Sequence, residues 1–307
     1  MPELRDVYVG EPDWMLRVKA GSPPLVDGDL LGREEMGDGC AVALTRTAAG
    51  FRLEYNDTGC YDVSACGREL TWYEKHGADM DLVRVDVLGR VLGVALHARG
   101  TLALHGSAVA LGDGGVAFLA PKFSGKSTLA MALVGAGAGA RLITDDTLAI
   151  DTGERVVARP GVHCVRLWND SAQRLIGAAA PAKRVACGKA LVEDFGAEQV
   201  MRGAVPLSAL YLLAPVRHIE TGAPLRRTRL APVQAAMSIV RHARLAALLG
   251  GAEAPKVLRR AAAVAQRVPV FVLEVQRDFA LLPEVVSGIV GWHGVTVGAE
   301  LAAPVSR

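Results

Sequence analysis

With 307 residues, 51% of them hydrophobic, the chain can build one large domain or two unequal ones around packed cores, which excludes a disordered protein. Its 34 basic and 32 acidic residues leave a formal charge of +2 and form no basic block, so no nucleic-acid partner is expected. Apolar runs such as Val91 to Leu96 fall far short of the roughly 20 residues that span a bilayer, Met1 to Leu30 carries acids and no apolar signal core, and the 5 cysteines include no Cys-x-x-Cys pair.

A cytoplasmic chain with reduced thiols and no membrane partner is therefore expected. Its first eighty residues are dense in turn signals and short alternating runs: Phe51, Leu53 and Tyr55 alternate with Arg52, Glu54 and Asn56 before the turn Asp57-Thr58-Gly59. This predicts a small, mostly β module over residues 1–82. From Val83 the pattern changes: Val87, Leu88, Val91, Leu92, Ala95 and Leu96 recur at helical spacing until Gly100, which opens a second domain over 83–307.

Two apolar strands are expected next, Thr101 to Leu111 and Val116 to Ala120, joined by the turn residues Gly112 to Gly115. A helical stretch at Leu129 to Val134 is broken at Gly135 to Gly139, and Leu142 to Ile150 reads as a strand carrying Asp145-Asp146. Further on, Leu207 to Leu213 and Val270 to Val275 read as strands and Leu281 to Val290 as a helix. A helix after Pro232 is predicted to carry Val233, Met237, Val240, Ala243 and Ala247 on one face, and the Ala/Gly-rich piece Gly177 to Ala182 reads as a loop.

The strand ending at Ala120 runs directly into Pro121-Lys122-Phe123-Ser124-Gly125-Lys126-Ser127-Thr128 and then into a helix. A loop that turns its N–H groups inward at a helix start binds a polyphosphate, because the dipole and the donors both favour negative charge. In that reading Lys122, Phe123, Ser124 and Gly125 shape the loop, Lys126 reaches the β- and γ-phosphates, Ser127 joins the Mg2+ shell, and Thr128 continues the helix start. ATP and Mg2+ are the implied cofactors. Ala120 stands where the G-x-x-x-x-G-K-[ST] pattern has its first glycine, which requires a negative φ there.

Thr144-Asp145-Asp146-Thr147 forms a second constellation. Two adjacent carboxylates at a strand end can divide two tasks, one holding Mg2+ and the other accepting the proton of an attacking hydroxyl.

Leu104-His105-Gly106-Ser107-Ala108-Val109, the loop from Phe118 to Ala130, and Leu142-Ile143-Thr144-Asp145-Asp146 resemble, in order and spacing, the HPr kinase/phosphorylase family. That resemblance implies an α/β, phosphoenolpyruvate-carboxykinase-like P-loop fold. The stretch Arg159-Pro160-Gly161 to Arg166-Leu167-Trp168-Asn169-Asp170 resembles the branch found with lasso-peptide biosynthesis, some of whose members phosphorylate a serine of the precursor peptide. By position the resemblance makes Asp145 the general base and Asp146 the Mg2+ partner. It places His105 close to the phosphates and gives Arg166 a role in neutralising the transferring phosphoryl group. Lys183, Arg184 and Lys189 are candidates for a mobile basic loop. The Glu-rich segment of true HPr kinases is not found, so HPr is not the expected substrate.

The expected function is an ATP-dependent serine kinase acting on a peptide or small-molecule hydroxyl. A transporter ATPase lacks support, since no Leu-Ser-Gly-Gly signature is present. A nucleotide-binding regulatory or scaffold protein without turnover stays open because of Ala120. The N-terminal module is open to use as a peptide docking surface, a lid support or a homo-oligomer contact.

Overall fold

The computed structural model describes residues 12–37, 39–176, 183–185, 189–220 and 222–295, a mixed α/β chain in two compact units. The first unit takes the described residues up to Ala103 together with Ala243–Ala261, and the second takes Leu104–His242 with those from Ala262 onward.

In the first unit, β1 (Met15–Ala20), β2 (Gly28–Glu35), β3 (Ala41–Thr47), β4 (Gly50–Tyr55), β5 (Gly59–Ser64) and β6 (Glu69–Glu74) form one sheet in the order β1-β6-β5-β4-β3-β2. Only β1 runs parallel to its neighbour. The expected alternation in β4 is present at Phe51, Leu53 and Tyr55, which are all buried. Arg52 is buried as well, because Asp62 accepts from its Nε and Nη2 at 2.6 and 2.7 Å.

A helical run follows as α1 (Met80–Asp86), a π turn over Val87–Val91, and α2 (Leu92–Ala98). It belongs to this unit, which moves the expected boundary from residue 82 to Ala103. The reason is polar as well as apolar: Thr58 Oγ1 donates to Asp86 Oδ2 at 2.7 Å, and Arg90 donates to Glu34 Oε2 at 2.7 Å. Residues 243–261 join the same unit through buried Glu253, which accepts from Arg46 at 2.8 Å and Lys256 at 2.7 Å and lies 2.7 Å from His97 Nε2.

The second unit opens, from Leu104, in the expected hairpin, β7 (Leu102–Leu111) antiparallel to β8 (Gly114–Leu119). Then come α3 (Lys126–Gly135), β9 (Arg141–Thr144), β10 (Thr147–Thr152), β11 (Val156–Arg159), β12 (Val165–Trp168), α4 (Asn169–Ile176), β13 (Lys183–Val185) and β14 (Lys189–Val192). The chain closes with β15 (Val205–Val216), β16 (Leu225–Arg229), α5 (Pro232–Arg241), α6 (Ala254–Arg267), β17 (Val270–Gln276) and α7 (Leu282–Trp292). The principal sheet runs β11-β10-β7-β8-β15-β17-β16, with β9 also on β7, and β8, β15 and β17 are mutually parallel. A three-stranded sheet has the order β12-β14-β13.

Val116, Phe118, Leu133, Leu142, Tyr211 and Leu273 are wholly buried in the core that carries α3 and α7. At about 1.5–3 kcal/mol per large apolar side chain, this burial fixes the strand end from which the 120–128 loop departs.

Two expectations change. Leu142 to Ile150 is not one strand: it breaks between β9 and β10 at Asp145-Asp146, where Asp146 has φ 74°. In α5 the buried residues are Ala235, Ala236 and Ile239, while Val233 and Met237 are 76% and 49% exposed. Lys183 and Lys189 open strands that pair with each other, so they are not part of one loop; Gly177 to Ala182 lies outside the described residues.

Candidate functional site

The parallel strand β8 ends at Leu119, buried Ala120 follows, and α3 begins at Lys126. Gly125 stands at the helix N-cap with φ 90°, a conformation open to glycine because it lacks a Cβ, and its carbonyl accepts the first helical bond from Leu129 N at 2.9 Å. Ala120 is not among the residues with positive φ, as expected; the left-handed non-glycine residue of the loop is Phe123, at φ 68°. The fourth residue of the loop therefore makes the bend, and the first has no need of a glycine.

Lys126 is 7% exposed and donates from Nζ to the carbonyl oxygens of Ala120 at 2.8 Å and Pro121 at 3.0 Å. These bonds fold the loop around its own ammonium group. Lys122 and Phe123 are exposed and Ser124 is half-buried.

The break between β9 and β10 delivers both carboxylates beside this loop. Ser127 Oγ donates to Asp145 Oδ1 at 2.9 Å, and the wholly buried Ser107 on β7 donates to the same oxygen. The backbone N–H of Arg166 lies 3.5 Å from Asp145 Oδ2, so this arginine meets the cluster through its main chain. Burial pushes the Asp145 carboxyl above its ordinary range, opposed by the Ser107 hydrogen bond and reinforced by the charge of Asp146.

Asp146 is in a different environment. Its side chain is 33% exposed, and His105 Nδ1 lies 3.2 Å from its Oδ1 and 3.2 Å from its backbone oxygen. Gly161 N donates to Ile143 O at 2.9 Å, and a Cβ at Gly161 would fall 2.2 Å from Thr144 Oγ1. The glycine of the Pro160-Gly161 step is thus what lets the chain close against the end of β9.

The structure therefore brings Lys126, Ser127, Asp145, Asp146 and His105 together, with Arg166 joined by backbone only. Sequence reasoning gave no role to Ser107, which looks like any strand serine until β7 and β9 pair. It missed His242, whose backbone oxygen accepts from His105 N at 2.8 Å and whose imidazole is held low by burial and then by nearby Lys126 and His105. It also missed Ser171, which accepts from Thr128 Oγ1 at 3.1 Å.

Hard oxygens converge here: a serine hydroxyl and a carboxylate at a helix start, with an ammonium and a second carboxylate alongside. Such a set suits Mg2+, which binds through one or two carboxylates and substrate phosphates while keeping several waters. Among the described residues no group of three or more His, Cys, Asp or Glu forms an all-protein metal cage, and no helix is long and apolar enough to cross a membrane.

No family model matches the chain, and no curated protein matches it. Among solved structures, the Hpr(Ser) kinase/phosphatase from Coxiella burnetii is similar over 62% of this chain and 95% of its own, at 12% identity and a TM-score of 0.33. A likeness that loose carries no argument, and the functional reading rests on the site itself.

Proposed function

We propose that this chain is a phosphotransferase that moves the γ-phosphoryl group of ATP to a hydroxyl, that of a peptide serine or of a small hydroxylated metabolite. The observation that carries the reading is the Ser127–Asp145 hydrogen bond of 2.9 Å, which joins the hydroxyl after the loop lysine to a carboxylate at a neighbouring strand end.

Ser127 and Asp145 would hold Mg2+, which when bound neutralises charge on the β- and γ-phosphates. Lys126 would exchange its two carbonyl partners for phosphate oxygens, and the amides at the start of α3 would take the remaining charge. Asp146 accepts the proton of the attacking hydroxyl as its oxygen bonds to phosphorus and the bond to the β-phosphate oxygen breaks, releasing ADP. His105 positions that carboxylate. This reverses the roles that the resemblance implies for the two aspartates. Oδ1 of Asp145 already accepts from two serines in a buried setting, whereas Asp146 is open to an incoming group.

The test is transfer of labelled γ-phosphate from ATP to seryl peptides and to small hydroxylated compounds, with Lys126→Ala alongside. Transfer by the natural chain that the folded variant lacks supports the reading; ATP binding without transfer to any hydroxyl, water included, would put the regulatory or scaffold alternative in its place.

A further inference from the structure

Phe123 and Trp168 stack with ring centroids 5.2 Å apart and planes inclined by 18°, yet the two residues are 63% and 37% exposed. Phe123 holds its ring there from a left-handed backbone position that glycine would occupy with less strain. Trp168 ends β12, and its pairing partner on β14 is Lys189, whose Nζ lies 5.1 Å from the indole centre.

The course of β12 and α4 orients this pair. Arg166 N faces Asp145 Oδ2 at 3.5 Å, and beyond Trp168 the buried Ser171 accepts from Thr128 Oγ1 at 3.1 Å. The segment thus runs from the carboxylates to the first turn of α3. At such a helix start the backbone amides cradle the α- and β-phosphates, while lysine and carboxylates serve the γ end. Trp168 lies in this segment between the contact to Asp145 and the contact to the first turn of α3, and a nucleotide with its γ end at the carboxylates would carry its nucleoside on the helix-start side.

We propose that the Phe123–Trp168 pair is the stacking platform for the nucleobase, an assignment that rests on the phosphate-site reading above. Every base offers a π face, so stacking needs no hydrogen-bonding partner and the platform accepts adenine and guanine alike. Lys189 adds positive charge beside the ring.

The test compares equilibrium binding of ATP, GTP and inorganic tripolyphosphate, each with Mg2+, to the full chain and to Trp168→Ala, Trp168→Phe and Phe123→Ala. Both alanine variants are expected to bind ATP and GTP about tenfold more weakly and Trp168→Phe to stay near the natural chain, with tripolyphosphate affinity unchanged in the Trp168 variants and reduced less than nucleotide affinity in Phe123→Ala. Phe123→Ala alters an exposed loop residue, so it reports even if Trp168→Ala fails to fold. Alanine variants with unchanged nucleotide affinity, or with an equal loss for tripolyphosphate, would overturn the platform. A natural chain that binds tripolyphosphate without preferring nucleotides would leave the phosphate site standing and remove the platform alone; a natural chain that binds none of the three removes both.

Discussion

Asp145 and Asp146 are sequence neighbours with opposite surroundings: Asp145 is 9% exposed and accepts from Ser107 and Ser127, whereas Asp146 turns outward at φ 74° beside His105. The left-handed backbone at Asp146 separates the two carboxylates, since it redirects one side chain away from the buried strand face. Their asparagine variants are therefore expected to behave differently. Asp146→Asn should lower turnover by roughly 10²–10⁴ with nucleotide affinity kept, because an amide takes no proton. Asp145→Asn should raise the Mg2+ concentration needed for half-maximal rate. A Mg2+ titration of both variants checks this, and matching profiles would reject the division of roles.

Ala120 is buried and lies outside the positive-φ residues, so Ala120→Gly relieves no strain. It should destabilise the fold by roughly 1 kcal/mol, through lost methyl burial and added freedom of the unfolded chain. ATP affinity should stay within about threefold, a change worth under ~0.7 kcal/mol. Urea denaturation and a nucleotide titration measure the two quantities, and a tenfold gain in affinity would mean that the natural loop is strained after all.

Phe123 gives the opposite expectation, since its φ of 68° is one that a Cβ disfavours. Phe123→Gly should be more stable than Phe123→Ala by about 1 kcal/mol, the cost of a left-handed alanine. Equal unfolding midpoints for the two variants would place the ligand-free loop in another conformation.

Asp86 supplies a pH dependence away from the site. Burial pushes its carboxyl from 3.8 up to about 6, against the hydrogen bond from Thr58. Between those values the folded state binds the proton more tightly than the unfolded one. This stabilisation is present below about pH 4 and lost as pH rises through 6. The loss amounts to at most about 3 kcal/mol. Asp86→Asn keeps an acceptor for Thr58 and removes the buried charge. It should be more stable than the natural chain at pH 7 and equal to it near pH 4, as read from denaturation at both values.

The local chemistry of the candidate site was legible along the chain, because each signal depends on neighbours in sequence. The apolar run to Ala120, Gly125, Lys126 and Ser127, and the helix after them, follow from period, φ requirement and charge, and the Gly112-Asp113 hairpin follows from turn composition. What separates Asp145 from Asp146 is not local: it requires β7 to bring Ser107 against β9, and the Pro160-Gly161 step to close on Thr144. The same holds for Trp168, whose sequence neighbours give it no role until β12 is laid beside the loop and Phe123 stacks on it. The buried face of α5 was not legible for a related reason. Helical period identifies a stripe, but the neighbour decides which stripe faces inward, and here it is Ala235, Ala236 and Ile239 rather than Val233 and Met237. Sequence thus determined the strand end, the glycine-capped loop and the helix start that follow one another from Leu119 to Lys126, and tertiary pairing decided which carboxylate is buried, because burial and hydrogen-bond partners come from strands distant in the chain.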